Sequence, residues 1–207
     1  MKITPAENRR HLGDIINIIQ KFRNEHEICG DEYCSCCGND VKSTILQILK
    51  IIKVNIKYTE NKTNSLIVYP SWSNSSKNIV NFDYVKSNYN FKKKNYISFQ
   101  FDVRSNKNKL PDIKEIDDFF KKCKIPFFYI GENSNLNLIE KFEIIASSIC
   151  YVGCDSGITH LAMMSKTPIF LLSKELDRNR FYPNSNQIKF YNNSKELIKC
   201  MQKLKIL

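Results

Sequence analysis

Residues 149–173 read ICYVGCDSGITHLAMMSKTPIFLLS, and this stretch decides the fold. ICYVG (149–153) and TPIFLLS (167–173) are short, predominantly apolar segments, which is typical of strands that are buried on both faces. Between them, ITHLAMMSK (158–166) has the length and composition of a short helix. A strand, a helix and a second strand in succession predict a βαβ unit with parallel strands.

The same alternation extends in both directions from this stretch. Further strands are predicted at 96–101, 125–131 and 188–191, and further helices at 111–123, 135–148 and 194–204. Strict alternation of this kind places helices on the faces of a parallel sheet. Residues 95–207 are therefore predicted to form a doubly wound, Rossmann-like domain.

Residues 1–94 show a less regular version of the pattern. MKIT (1–4) and SLIVYP (65–70) are predicted strands, the second of them buried, and 12–24 and 41–52 are predicted helices. The polar segment 71–94, rich in Ser, Asn and Lys, is predicted to be a loop or linker. This half is expected to be a reduced α/β domain that packs on the second, because so small a domain buries little surface alone.

The composition indicates a globular protein with an excess of positive charge. Of 207 residues, 42% are hydrophobic and 26% are charged. No run of about 18 apolar residues is present to span a membrane. The opening MKITPAENRR lacks the apolar stretch of a secretory signal, so a soluble, cytoplasmic location is expected. The net charge of +11 favours an anionic partner.

Lysine supplies most of this charge, with 26 Lys against 6 Arg. Sequence-specific DNA-binding proteins rely on arginine forks, which are scarce here, and the lysines are spread evenly along the chain. A nucleic-acid binder driven by charge is therefore the least favoured class, and no nucleic acid is expected among the partners.

The eight cysteines are expected to be reduced thiols, because no secretory signal precedes them. Four of them are crowded near His26: Cys29, Cys34, Cys36 and Cys37. Together these side chains have enough ligand atoms for one tetrahedral zinc ion. The spacing differs from two separated Cys-x-x-Cys pairs, so an ordinary reduced loop is favoured over structural zinc and over redox chemistry.

The turn 154–157, Cys-Asp-Ser-Gly, carries the sharpest functional signal. It joins a strand end to a helix start at the carboxyl edge of a parallel sheet, where ligands bind. The amides of Ser156, Gly157 and Ile158 are expected to point out of the helix N-terminus and to bind an anion such as a phosphate. The alternative is that Asp155 or Ser156 only caps the helix.

DSGITHLA (155–162), followed by the Thr-Pro start of the next strand, resembles a motif of the family 9 glycosyltransferases. These are the heptosyltransferase-like enzymes of bacterial surface polysaccharide assembly. The resemblance implies a GT-B fold of two Rossmann-like domains, in which this motif contacts the phosphates of a nucleotide-sugar donor. It also implies that Asp155 and His160 shape the donor site, whereas His160 taken alone indicates only a structural helix residue.

Neighbouring segments extend the resemblance. EKFEIIASSICYVG (140–153) is similar to the helix and strand that precede the motif in that family. YIGEN (129–133) resembles a strand end near the nucleotide, which implies a role for Glu132. SFQFDVRSNKNKLPD (98–112) resembles a loop that offers a hydroxyl and a Lys to the diphosphate. The candidates implied there are Ser98, Gln100, Lys107 and Lys109.

NRRHLGDIINII (8–19) resembles the Gly-Asp motif that opens the family, which implies that Asp14 is the general base on the acceptor side. Inverting transfer needs a carboxylate to accept the proton of the attacking hydroxyl. Amides, a helix dipole and Lys would stabilise the departing diphosphate, with no metal ion and no cofactor. The alternative for Asp14 is an acidic residue that the helix dipole favours in the first turn.

The predicted function is inverting, metal-independent transfer of a sugar from a nucleotide-activated donor to a glycan or glycolipid acceptor. The first half is shorter than a full domain, so the alternative is a non-catalytic nucleotide-binding or interaction protein derived from a glycosyltransferase.

In ELDRNRFYPN (175–184), Arg178 and Arg180 are expected to be solvated or to pair with a phosphate or acidic sugar. FKKKNY (91–96) is either a solvated linker or a peripheral contact with anionic lipid head groups.

Overall fold

A computed structural model describes residues 1–6, 11–25, 27–30, 40–52, 54–68, 70, 84–102, 114–173, 182–183 and 185–203. The chain forms two compact units. The first comprises Met1–Tyr89 with Asp177–Asn184, and the second comprises Asn90–Leu176 with Ser185–Leu207. The division after Tyr89 lies close to the predicted boundary after residue 94. The sequence pattern did not anticipate that a short segment of the second half belongs with the first unit.

The first unit is a small parallel α/β unit. Its elements are β1 (Lys2–Pro5), α1 (Leu12–Lys21), β2 (Glu27–Ile28), α2 (Val41–Ile51), β3 (Lys57–Tyr58) and β4 (Leu66–Val68). The four strands are all parallel, in the order β3-β2-β1-β4. The sequence pattern predicted β1, β4 and both helices. It missed β2 and β3, because two residues are too few to show an alternation of side chains.

The helix α1 is buried along most of its length. Its isoleucines Ile15, Ile16, Ile18 and Ile19 are fully buried. Its polar residues Asp14, Asn17 and Gln20 are buried as well. The side-chain oxygen of Gln20 accepts a 2.7 Å hydrogen bond from the amide of Val85, so the later part of the predicted linker 71–94 is bound to this helix.

The prediction that SLIVYP forms a buried strand is wrong for most of β4. Leu66 and Ile67 are 51% and 61% exposed, and only Val68 is buried. The strand pairs with β1 on one side and lies at the edge of the described sheet. Strand order depends on contacts between distant segments, so an apolar run by itself does not distinguish an edge strand from a central one.

The second unit is a larger doubly wound unit. Its strands are β5 (Ile97–Gln100), β6 (Phe127–Tyr129), β7 (Cys150–Cys154), β8 (Ile169–Leu172) and β9 (Ile188–Tyr191). Its helices are α3 (Lys114–Lys122), α4 (Leu138–Ser147), α5 (Gly157–Met163) and α6 (Ser194–Lys203), with a short 3₁₀ turn at Glu132–Ser134. All five strands are parallel, in the order β6-β5-β7-β8-β9. The structure confirms an α/β protein built on two parallel sheets.

Helices cover both faces of this second sheet. Ile116 of α3 and Leu197 and Met201 of α6 pack in one apolar cluster on the side chains of Ile97 and Val152. The opposite face of β7 meets α5, because the hydroxyl of Tyr151 lies 3.2 Å from that of Thr159. The central strands are therefore buried on both sides, as their apolar composition predicted. The edge strand β6 is less buried, and its Phe128 is 47% exposed.

Lys93, in the stretch predicted to be a solvated linker, is anchored at the end of α4. Its ammonium group donates to the carbonyl oxygens of Ala146 and Ser148, at 3.0 and 2.8 Å, and to the hydroxyl of Thr167 at 2.7 Å. A cation is favoured at the C-terminus of a helix, where carbonyl groups lack partners. Partial burial lowers the pKa of Lys93. Lys93 therefore makes specific contacts within this stretch, although much of its surface is exposed.

Among the described residues, no helix has both the length and the apolar character needed to cross a membrane.

Candidate functional site

The strand order places a topological switch point between β5 and β7. From β5 the chain passes to β6 on one side of the sheet, and it then returns to β7 on the other side. Connections leaving two neighbouring strands in opposite directions open a crevice at their carboxyl ends, which is the usual ligand position in such sheets. Gln100 pairs with Gly153 in the register, so the turn after β7 leaves beside the end of β5.

Ser156 closes this turn as the N-cap of α5. Its side-chain oxygen accepts a 3.3 Å hydrogen bond from the amide of Thr159. Ser156 therefore caps the helix. Asp155, Ser156 and Gly157 are partly exposed. Within the described part of the chain, the amides of Gly157 and Ile158 make no hydrogen bond, as expected for the first turn of a helix.

A buried hydrogen-bond network joins the turn to β5. The hydroxyl of Ser156 donates to the side-chain oxygen of Gln100 at 2.8 Å. The hydroxyl of Tyr151 donates to the same oxygen at 3.2 Å. The amide nitrogen of Gln100 donates to the carbonyl oxygen of Asp102, which fixes the amide in one orientation. The structure thus brings together Gln100 and Ser156, two of the residues that the sequence singled out.

Thr159 and Tyr151 belong to this network, and the sequence analysis did not identify either of them. Thr159 donates a 2.7 Å hydrogen bond to the carbonyl oxygen of Cys154, at the end of β7. Its hydroxyl also lies 3.2 Å from that of Tyr151. The available signals were a Tyr inside an apolar strand, whose hydroxyl needs a partner when buried, and a Thr three residues after a capping Ser.

Gly153 is required by the path of the Tyr151 side chain. A Cβ at Gly153 would lie 2.4 Å from the hydroxyl oxygen of Tyr151 and 2.8 Å from the carbonyl oxygen of Gln100. Any larger residue would therefore push the tyrosine away from β7. This conflict shows that the Tyr151 side chain runs along its strand over Gly153 toward the carboxyl edge.

Two residues predicted to lie at the sugar-donor site, Ser98 and His160, are buried. Ser98 is fully buried, and its hydroxyl lies 3.0 Å from that of Ser148 and 3.4 Å from the carbonyl oxygen of Cys150. The structure therefore does not bring Ser98 into the group around Ser156. His160 lies inside α5 and is 3% exposed. Burial lowers the pKa of His160 to about 3, so its imidazole is neutral at neutral pH and supplies no positive charge for an anion.

Glu132 starts the 3₁₀ turn that follows β6. The carbonyl oxygen of the preceding Gly131 accepts hydrogen bonds from the ammonium of Lys141, at 2.9 Å, and from the hydroxyl of Ser134, at 2.7 Å. Lys141 is buried, and the sequence analysis did not single it out. These contacts hold the turn at the end of β6.

The lysines predicted to bind the diphosphate, Lys107 and Lys109, lie outside the described residues, as do Arg178 and Arg180.

The thiol of Cys154 is unsuited to act as a nucleophile. It is buried, and burial together with the charges of Asp155 and Asp102 raises its pKa to about 12. The thiol therefore stays protonated at neutral pH. The same two carboxylates place negative charge near the end of β7, so an anionic ligand there would need positive charge from elsewhere.

Asp14 lies in the first turn of α1 and is 6% exposed. The helix dipole favours a negative charge at this position, as expected.

Of the proposed zinc ligands, only Cys29 is described. It is fully buried, and its sulfur lies 2.7 Å from the hydroxyl of Thr4. The sulfur also donates to the carbonyl oxygen of Ile3 at 3.4 Å. His26, Cys34, Cys36 and Cys37 lie outside the described residues. Within the described ranges, no three His, Cys, Asp or Glu side chains are grouped to hold a metal ion.

Comparisons with protein-family models, with curated proteins and with solved structures find no match for this chain.

Proposed function

We propose that the second unit binds the diphosphate of a nucleotide sugar in the crevice between the ends of β5 and β7. One observation carries this proposal: the turn 154–157, singled out by its sequence, lies beside the topological switch point of a parallel sheet. This is the position at which doubly wound sheets bind ligands. The amides of Gly157 and Ile158 supply hydrogen-bond donors for phosphate oxygens.

The proposed reaction is inverting transfer of the sugar to a hydroxyl group of a glycan or glycolipid, without a metal ion. The resemblance of DSGITHLA to the family 9 glycosyltransferase motif supports this choice of reaction. Two units that each contain a parallel sheet are compatible with a GT-B arrangement. Lys107 or Lys109 would supply positive charge to the leaving diphosphate, and Asp14 would accept the proton of the acceptor hydroxyl.

A glycolipid acceptor would bring the protein to the inner face of a membrane. The exposed Lys92 and Lys94 are available for contact with anionic head groups, whereas Lys93 is held by α4. This peripheral contact is part of the proposal.

A second candidate function is nucleotide binding without transfer. It is favoured by the small first unit, whose described sheet has four strands, two of them only two residues long. The burial of Asp14 also favours it, because a general base must reach the acceptor hydroxyl. In this case the first unit would serve as an interaction module.

Calorimetric titration of the full chain with ADP, GDP, CDP and UDP, each used separately, tests the shared part of both candidates. Saturable binding of at least one of these probes supports the nucleotide site, and absence of binding for all four overturns it. Mass-spectrometric assay of nucleotide-sugar turnover with a panel of glycan and lipid acceptors then separates the two. Turnover supports the transferase, whereas binding without turnover supports the non-catalytic protein.

A further inference from the structure

The side chain of Tyr151 reaches from the interior of the sheet to the turn after β7. It passes over Gly153, where even a Cβ would overlap with the phenol. Its hydroxyl contacts Gln100 and Thr159, both at 3.2 Å. A phenol that reaches the carboxyl edge in this way depends on a glycine two residues later in the same strand. The absence of a side chain at Gly153 therefore leaves the space that the Tyr151 hydroxyl group occupies.

The protons of the network can be assigned one by one. Thr159 donates to the carbonyl oxygen of Cys154 at 2.7 Å, and Ser156 donates to Gln100 at 2.8 Å. The single proton of the Tyr151 hydroxyl is then shared between Gln100 and Thr159. Each hydroxyl proton thus has an acceptor within the network. The Ser156 side chain is held by these hydrogen bonds and positions the backbone of the turn.

We infer that Tyr151 and Gln100 are positioning residues, which set the backbone geometry of the Ser156–Gly157 turn for diphosphate binding. This inference rests on the nucleotide-binding function proposed above. Gln100 connects β5 to the turn, and Tyr151 connects the same glutamine to Thr159 in the first turn of α5. The two strands that flank the switch point are thereby joined at their carboxyl ends to the segment that would meet the ligand.

The chemistry of Tyr151 supports a positioning role over simple filling of space. A phenylalanine would fill the same volume without the cost of removing a hydroxyl from water. Burial raises the pKa of Tyr151, so the group remains a neutral hydrogen-bond donor at neutral pH. Its partners lie in the turn and in the residue that holds the turn. The hydroxyl group therefore supports the turn directly through Thr159 and indirectly through Gln100, which accepts the hydrogen bond of Ser156.

The test compares Tyr151→Phe with Tyr96→Phe in the full chain. Tyr96 is a matched control, because it is buried in the same unit and its hydroxyl donates a 2.9 Å hydrogen bond to the carbonyl oxygen of Ile144. Both variants lose a hydrogen bond donated by a tyrosine hydroxyl and are expected to unfold at slightly lower temperatures. At a temperature where both are folded, titration with the best-binding nucleoside diphosphate should show about tenfold weaker binding for Tyr151→Phe only.

A second variant, Gln100→Met, removes the shared acceptor while keeping a side chain of similar length. It should weaken binding at least as much, and adding Tyr151→Phe to it should cause little further loss, because both changes remove the same bridge. Equal affinity in the parent and in Tyr151→Phe would overturn the inference while leaving the nucleotide site intact. An equal loss in Tyr96→Phe would also overturn it. Absence of binding in the parent would remove the proposed function itself and this inference with it.

Discussion

The ammonium group of Lys93 lies 2.7 Å from the hydroxyl of Thr167 and also donates to two carbonyl oxygens at the end of α4. One lysine thus fastens the first residues of the second unit to the helix α4 and to the start of β8. Lys92, Lys93 and Lys94 are all exposed to a large extent. What distinguishes Lys93 is that its ammonium group makes these hydrogen bonds.

Replacing Lys93 with Ala should destabilise the protein by about 1–3 kcal/mol, because two carbonyl oxygens at the end of α4 and the hydroxyl of Thr167 lose their donor. Chemical denaturation measured by circular dichroism gives this value. The matched control is Lys92→Ala, which removes an exposed lysine and should change stability by less than about 0.5 kcal/mol. Equal stabilities of the two variants would show that the Lys93 contacts contribute little.

Gly157→Val should abolish nucleoside diphosphate binding while the protein stays folded. The branched side chain would occupy the space beside the amides where a phosphate approaches the backbone. Valine is compatible with this helical position, since Val41 occupies the first position of α2. Titration calorimetry measures the loss, and Lys114→Val at the exposed first residue of α3 serves as a control. Unchanged affinity in a folded Gly157→Val protein would exclude this turn as the phosphate site.

Asp14→Asn should lower sugar transfer by about 10²-fold or more and leave donor affinity unchanged. Asparagine keeps the shape of the side chain but cannot accept a proton from the acceptor hydroxyl. Asp14 is in the first turn of α1 and nearly buried, so a thermal melt of the same variant is needed to exclude a loss caused by unfolding. Turnover close to that of the parent, in a folded variant, would remove Asp14 from the mechanism.

Acid should destabilise the protein through His160. Its pKa is lowered from 6.5 to about 3 by burial, so the unfolded chain binds a proton below pH 6.5 that the folded protein does not bind until about pH 3. The contribution of His160 to stability is therefore complete above pH 6.5 and declines as the pH falls toward 3. At pH 5 the free energy of unfolding should be about 2 kcal/mol lower from this group alone.

His160→Gln should remove this part of the pH dependence, whatever its effect on stability at pH 7. Urea denaturation at a series of pH values between 7 and 4 measures the slope for each variant. Asn90→Gln, which changes an exposed residue without a titratable group, is the comparison variant and should retain the parent slope. A slope in His160→Gln equal to that of the parent would show that other groups cause the acid sensitivity.

The sequence alone predicted the fold class and the succession of strands and helices in the second unit. These features are local, because apolar runs and helical periodicity are properties of short segments. The sequence also indicated the capping role that was considered for Ser156, since helix capping depends on residues within one turn. For the same reason the position of the turn 154–157, between a buried strand and a helix, followed from the sequence.

The tertiary structure decided the relationships that join distant segments. The strand order places β4 and β6 at the edges of their described sheets. Leu66 and Phe128 are therefore exposed, although their segments are apolar. The bridge from Gln100 to Ser156 spans two strands that are neighbours only in space. The burial of Asp14 and the anchoring of Lys93 likewise depend on the elements packed around them. Such contacts leave no periodic trace in a sequence, because hydrogen bonds and burial depend on which segments the folded chain brings together.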